Sequence, residues 1–234
     1  MLKSVFGKVP SIVLLALSLL STALFTTLYG YEFVYTDLAI AHKLSKIESK
    51  LLVINFSSPS CYYCRLFEKE VLTNQSIQEF LRGNYIFVKI EPSNYKTSFL
   101  GKTYTNNELF SVFGVRGTPT FVFLKDNSIV TQIPGYMPAN DYLKALKFLV
   151  RVVEEKYNDT FENYSKKNDP FQGKPKIVEI SKSDNEFVLK NDKNAYNVDS
   201  VPDKVDIYKV YVTTNQEIAK ALNQKGVIRV LLVK

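Results

Sequence analysis

The sequence predicts an α/β fold with a central mixed sheet flanked by helices, an N-terminal export segment and a small C-terminal α/β unit. Three observations predict it. Short apolar runs at Leu51–Phe56 and Tyr85–Ile90 alternate with helical patterns, which implies a sheet covered on both faces. Two further short strands flank Lys125-Asp126-Asn127, a hairpin signal that adds an antiparallel part. Hydrophobic residues make up 46% of the 234, enough for a substantial core.

Taken in order, Lys3 and Lys8 precede an uncharged, Leu-rich run from Ile12 to Leu28. A basic start before an apolar run is the pattern of a secretory signal. Ser21-Thr22-Ala23 offers small residues for cleavage. An uncleaved anchor is the rival, at the short edge of what spans a bilayer. Either reading of residues 1–30 carries the rest of the chain across the membrane, because flanking lysines stay inside. Asp37 to Glu48 has apolar residues at 38, 40, 44 and 47, an amphipathic helix with Asp37 as N-cap. Leu51–Phe56 is a buried strand, and Ser57-Ser58-Pro59-Ser60 is a turn. A helical pattern runs from Cys61 to about Leu81, with a break near Thr73-Asn74. Tyr85–Ile90 is the second strand, and Glu91 to Asn106 reads as a loop. Asn107–Phe113 reads as a helix stopped by Gly114. Phe121–Leu124 and Ser128–Gln132 form the hairpin, and a helix runs from Asn140 to about Tyr157.

Composition shifts after Tyr157. Residues 31–165 form the main domain, 166–176 a polar linker with Pro170, Gly173 and Pro175, and 177–234 the small unit. In that unit Lys176–Ile180, Glu186–Lys190, Ile207–Thr213 and Val227–Val233 read as strands. Thr214 with Glu217 reads as a capping box opening a helix that Gly226 stops. No residue of this tail looks catalytic.

The net charge is +7, but the basic residues are spread along the chain. A nucleic-acid surface clusters them on one face, so no nucleic-acid partner is expected. Membrane contact is expected through the N-terminal segment alone. Two cysteines and one histidine, His42, cannot supply the four ligands of a structural zinc site, so no metal is expected. Nor can two cysteines staple a domain this large.

Cys61-Tyr62-Tyr63-Cys64 follows an apolar strand and opens a helix. The spacing lets the two sulfurs close a small disulfide ring. Free backbone N–H groups and the helix dipole favour a thiolate at Cys61, the expected nucleophile. Cys64, one turn further in, is expected to resolve the mixed disulfide. A c-type haem site would need His where Arg65 stands. A Cys–His enzyme would need His42 close to Cys61. A purely structural disulfide would restrain little of the unfolded chain, because its loop is so short. No cofactor is expected beyond the Cys61–Cys64 disulfide.

A second signal is Val115-Arg116-Gly117-Thr118-Pro119-Thr120, just before an apolar strand. With the CxxC at a strand-to-helix junction, it resembles the thioredoxin superfamily over about residues 35 to 165. Phe67 to Leu72, Gly101 to Thr105 and Pro134-Gly135-Tyr136 are similar to periplasmic thioredoxins of sulfur-oxidising systems, and to the C-terminal domain of transmembrane thiol reductases. The resemblance implies a thioredoxin fold and a cis Thr118–Pro119 bond that sets Pro119 against the cysteines. It implies that the backbone at Thr118 pairs with an extended client segment. Tyr62 and Tyr63, between the cysteines, are assigned to the same client contact. It also implies protein disulfides as substrates and a membrane thiol protein as electron donor. One departure is Asn55, where many thioredoxins carry a buried Asp. Glu68, four residues after Cys64 and seven after Cys61, has the helical spacing to replace it. A surface role for Glu68 remains open, and the same holds for Lys89 on the second strand. The expected activity is extracytoplasmic reduction of protein disulfides. An oxidase or isomerase, or a binding module with a structural disulfide, are the alternatives.

Overall fold

The computed structural model describes residues 30–234. The export segment read from residues 1–30 lies almost wholly outside the described residues. Among the described residues no helix is long and apolar enough to cross a membrane.

The sheet core is β2 (Leu51–Phe56), whose six residues are all buried. A strand covered on both faces needs an unbroken apolar run, and LLVINF nearly provides one. Parallel to it lies β3 (Tyr85–Ile90), and beside β3 lies the short edge strand β1 (Val34–Tyr35). On the other side β6 (Thr120–Lys125) runs antiparallel to β2, and β7 (Ser128–Pro134) antiparallel to β6. The order is β1-β3-β2-β6-β7, with Asp126 at φ 54 in the β6–β7 turn.

Strand alternation sorts side chains to two faces. Leu52, Ile54 and Phe56 face α1 (Leu38–Ile47), whose N-cap is Asp37 as its sequence predicts. Leu51 and Val53 face the other layer. That layer holds α2 (Tyr62–Leu66), the π-helical turn Phe67–Val71 that continues it, α3 (Gln75–Asn84) and α5 (Ala139–Glu155). The predicted helix break is real: Asn74 caps α3 by accepting from the Ile77 amide. By the same alternation Asn55 and Lys89 fall on the α2 side, and they are register partners across β2 and β3.

The stretch 91–106, read as a loop, instead contains a hairpin of β4 (Lys96–Phe99) and β5 (Lys102–Thr105). Its turn residues Leu100 and Gly101 have φ 50 and 77, the left-handed pair that a two-residue hairpin needs. Thr105 and Glu108 then form a capping box for α4 (Asn106–Val112). The polar strands KTSF and KTYT carry almost no apolar signal, which is why their pattern reads as loop.

After α5 a short helix α6 (Phe161–Ser165) leads into the segment read as a linker. That segment is held down along its length. Arg151 bonds Asp169, Asn84 Nδ2 donates to the Gln172 carbonyl at 2.9 Å, and Gly173 sits at φ 140 against Asn84 and Ile228. The C-terminal unit is a parallel sheet ordered β8-β11-β10-β9, comprising β8 (Lys176–Ile180), β11 (Arg229–Val233), β10 (Val210–Thr213) and β9 (Ala195–Asn197). The expected strand at 186–190 is instead part of helix α7 (Lys182–Asn191), capped by Ser181. Phe187, Val188 and Leu189 mimic a strand because only Val188 is fully buried on this thin apolar face. Asn215, not Thr214, caps α8 (Gln216–Gln224), accepting from the Glu217 and Ile218 amides.

This unit shares a core with the main domain. Val188, Val210, Val212, Leu231 and Val233 pack in one cluster with Leu38, Ala41 and Leu44 of α1. Its opposite face packs on α8 through Val230, Leu232, Ala219 and Leu222.

Candidate active site

The end of β2 delivers the chain to the cysteines. Ser57 N–H donates to the Ile90 carbonyl at 2.9 Å, which extends the β2–β3 pairing by one bond before the chain turns. Cys61 N–H then donates to the Ser58 carbonyl at 3.0 Å, closing the turn. Arg65 ties α2 back to this loop by donating to the Pro59 carbonyl at 2.8 Å. Cys61 is the N-cap residue of α2, and its sulfur accepts from the Cys64 amide at 3.1 Å. An amide donor at a helix N-terminus stabilises a sulfur anion more than a neutral thiol. Cys61 is partly exposed, Cys64 is 3% exposed, and the two form a disulfide with Cα atoms 5.3 Å apart. The inner sulfur is thus shielded and the outer one reachable.

The Thr118–Pro119 bond is cis. Pro119 is buried, and the Cys61 sulfur lies 3.3 Å from the Thr118 carbonyl oxygen. Two bonds hold this loop: Thr120 Oγ1 donates to the Gly117 carbonyl at 2.7 Å, and Gly135 N–H donates to the Pro119 carbonyl at 2.8 Å. Beside it runs an open cleft of about 340 Å³ lined by Gly114, Arg116, Thr118, Pro119, Gln132 and Gly135. Tyr62 and Tyr63 stand out at 63% and 56% exposure, and Tyr63 neighbours Tyr136 at 6.1 Å between rings. Tyr136, read from the sequence only as part of the Pro134-Gly135-Tyr136 resemblance and given no role there, is a rim residue. Its hydroxyl donates to Glu70 at 3.0 Å, tying the segment before α5 to the π turn after the cysteines.

Glu68 sits in that π turn, where the backbone bonds no longer follow α spacing. Its partner is Lys89, whose ammonium donates to Glu68 at 3.1 Å and lies 3.2 Å from Glu91. Burial pulls the Lys89 pKa down, the bonds to Glu68 and Glu91 outweigh it, and the net shift is upward. Lys89 therefore stays a cation beside Asn55. Asn55 is 2% exposed, and its Oδ1 has no hydrogen-bond partner among the described residues. Glu91 is a member of this charge group that sequence spacing did not mark. His42 is far from this arrangement in role: its Nε2 meets the Asp126 carbonyl at 2.8 Å and its ring packs on Phe99. The Cys–His alternative has no support in that placement. Among the described residues no group of three or more His, Cys, Asp or Glu is set to hold a metal.

A sequence profile described as "Thioredoxin-like domain" matches residues 38–149. Residues 38–149 belong to the thioredoxin superfamily. Over 123 residues the chain is 25% identical to the thiol:disulfide interchange protein DsbD of Actinobacillus pleuropneumoniae serotype 5b (strain L20), covering 51% of this chain and 20% of that relative. The match therefore spans about a fifth of DsbD. Among solved structures, a thioredoxin-fold protein from Helicobacter pylori is 18% identical, covering 57% of this chain and 87% of its own, with TM-score 0.44. A thioredoxin from Thermus thermophilus is 23% identical, covering 53% and 92%, with TM-score 0.43. The thioredoxin-like domain thus carries a CxxC disulfide of the thiol–disulfide oxidoreductase type.

Proposed function

We propose that the chain is an extracytoplasmic dithiol reductant of protein disulfides. One observation carries the reading: a partly exposed Cys61 sulfur at a helix N-cap, backed by a 3%-exposed Cys64 and set against the Thr118 carbonyl. The Cys61 thiolate attacks one sulfur of a client disulfide, forming a Cys61–client disulfide and releasing one client thiolate. Cys64 then loses its proton and attacks the Cys61 sulfur. The Cys61–Cys64 disulfide forms, the second client thiolate leaves, and two electrons have passed to the client. A dithiol protein at the membrane returns the electrons by the reverse exchange. The resemblance to DsbD and the export pattern of residues 1–30 support that side of the membrane and that donor.

Glu68 is the acceptor for the Cys64 proton in this reading, with Lys89 holding its carboxylate near Asn55. Glu68→Gln is expected to slow resolution on the order of a hundredfold, the low end for a positioned acid–base group. Stopped-flow reduction of a protein disulfide would show a persisting Cys61–client species. An unchanged resolution rate removes Glu68 from the mechanism. The client lies along the cleft beside Thr118 and Pro119, with Tyr62 and Tyr63 against its flank. Equilibration with glutathione tests direction. A reduction potential near the thioredoxin value of about −270 mV supports a reductant; one near about −120 mV makes the chain an oxidant.

A further inference from the structure

The junction between the thioredoxin-like domain and the C-terminal unit buries two acids. Glu48 closes α1 at 0% exposure, and Asp192 closes α7 at 4%. Both stand at helix C-termini, where the dipole disfavours negative charge. Lys50, at 1% exposure just before β2, has its ammonium 2.8 Å from Glu48 Oε2. It donates its hydrogen bond to the Arg82 carbonyl at 2.9 Å. From the β1 segment Tyr35 donates to Asp192 Oδ1 at 3.0 Å, and Tyr31 faces the same acids. Arg82 of α3 is drawn off to Asp206 at 2.5 Å. Arg229 of β11 pairs with Glu154 of α5 and also donates to the Glu48 backbone carbonyl, so a second cation lies near Glu48.

The Lys50 ammonium thus sits against Glu48, and Lys50 and Asp192 line the same small buried cavity. Neither Glu48 oxygen, nor Asp192 Oδ2, has a well-formed hydrogen bond from a donor among the described residues. Unpaired buried acceptors are costly, and a second uncompensated buried charge costs more. A single proton removes both faults. It removes one of the two negative charges and turns a bare acceptor into a donor. We infer that buried Glu48 keeps a proton beside Asp192, and that this proton seats the C-terminal unit on the thioredoxin-like domain. In keeping with this, burial, with Asp192 second, raises the Glu48 pKa to about 8 from 4.5.

The direction of the pH effect follows. The unfolded chain releases this proton near pH 4.5, while the folded chain keeps it to about pH 8. Folding stability from this pair is thus greatest below 4.5, falls as pH rises through that window, and levels off above 8. The fall is at most tenfold in the folding constant per pH unit, the limit for one proton. Glu48→Gln mimics the protonated acid, because its amide is uncharged and can donate a hydrogen bond.

The test uses the full chain with its disulfide intact. Urea midpoints at pH 6 and pH 8 are compared for the natural chain and Glu48→Gln, and the Glu48 side-chain carboxyl is followed by carbon-13 NMR. The natural chain is expected to lose more midpoint than the variant over this interval, with Glu48 titrating near pH 8. Equal losses in the two proteins overturn the proposal. If Glu48→Gln fails to fold, the NMR titration of the natural chain decides alone: a Glu48 midpoint near 4.5 overturns it.

Discussion

Cys61→Ser is expected to lower the rate of protein-disulfide reduction on the order of a thousandfold or more, to the uncatalysed level. Losing a nucleophile has effects of that scale. A serine hydroxyl is not ionised near neutral pH, so the first attack has no thiolate. Cys64→Ser has a different signature. Cys61 still attacks, but the mixed disulfide has no internal thiol to resolve it, so a covalent Cys61–client species accumulates. Non-reducing electrophoresis after incubation with a disulfide client reads both outcomes. Retention of physiological activity by Cys61→Ser would instead favour a binding module whose disulfide is structural.

Arg229→Met is expected to destabilise the chain by about 3–5 kcal/mol, the range for stranding one partner of a buried ion pair. Arg229 is 0% exposed. Its guanidinium donates to the Glu48, Ser49, Lys174 and Ile228 carbonyls and pairs with Glu154. Burial pulls its pKa down, and Glu154 opposes that pull. Methionine fills much of the space, so the loss is charge and donors more than volume. It leaves the 3%-exposed Glu154 carboxylate without its cation and four carbonyls short of a donor. A thermal midpoint about 10 °C lower follows for a chain of this size. Adding Glu154→Gln is expected to recover part of the loss, because the stranded charge goes with it. A single variant within 1 °C of the natural chain would show that Arg229 is not the pin between the two units.

The two sites differ in how far the sequence foretells them. β2, β3 and the β6–β7 hairpin follow from unbroken apolar runs, and the cysteine pair follows from one short motif at a strand end. The cis Thr118–Pro119 bond came from resemblance, since composition alone favours trans. Local pattern failed where burial was thin. α7 buries only Val188, and the β4–β5 hairpin is built from lysine and threonine. Glu91 joined the site only through space, and Tyr136, quoted in the sequence for resemblance alone, took its place beside Tyr63 and Glu70 the same way. The buried junction was beyond reach for the same reason. Arg229 meets the Glu48 carbonyl across 181 positions, and no short-range periodicity carries such a pairing. Its polar residues sit where a sequence pattern would ordinarily place solvent.

The most direct test is the alkylation rate of the reduced chain against pH, read at Cys61 by mass spectrometry. A helix N-cap thiol within reach of the Cys64 amide is expected to react with a midpoint well below the free-cysteine value of about 8.5. A Cys61 that resists alkylation in the folded chain, or titrates no lower than a free thiol, would contradict the account.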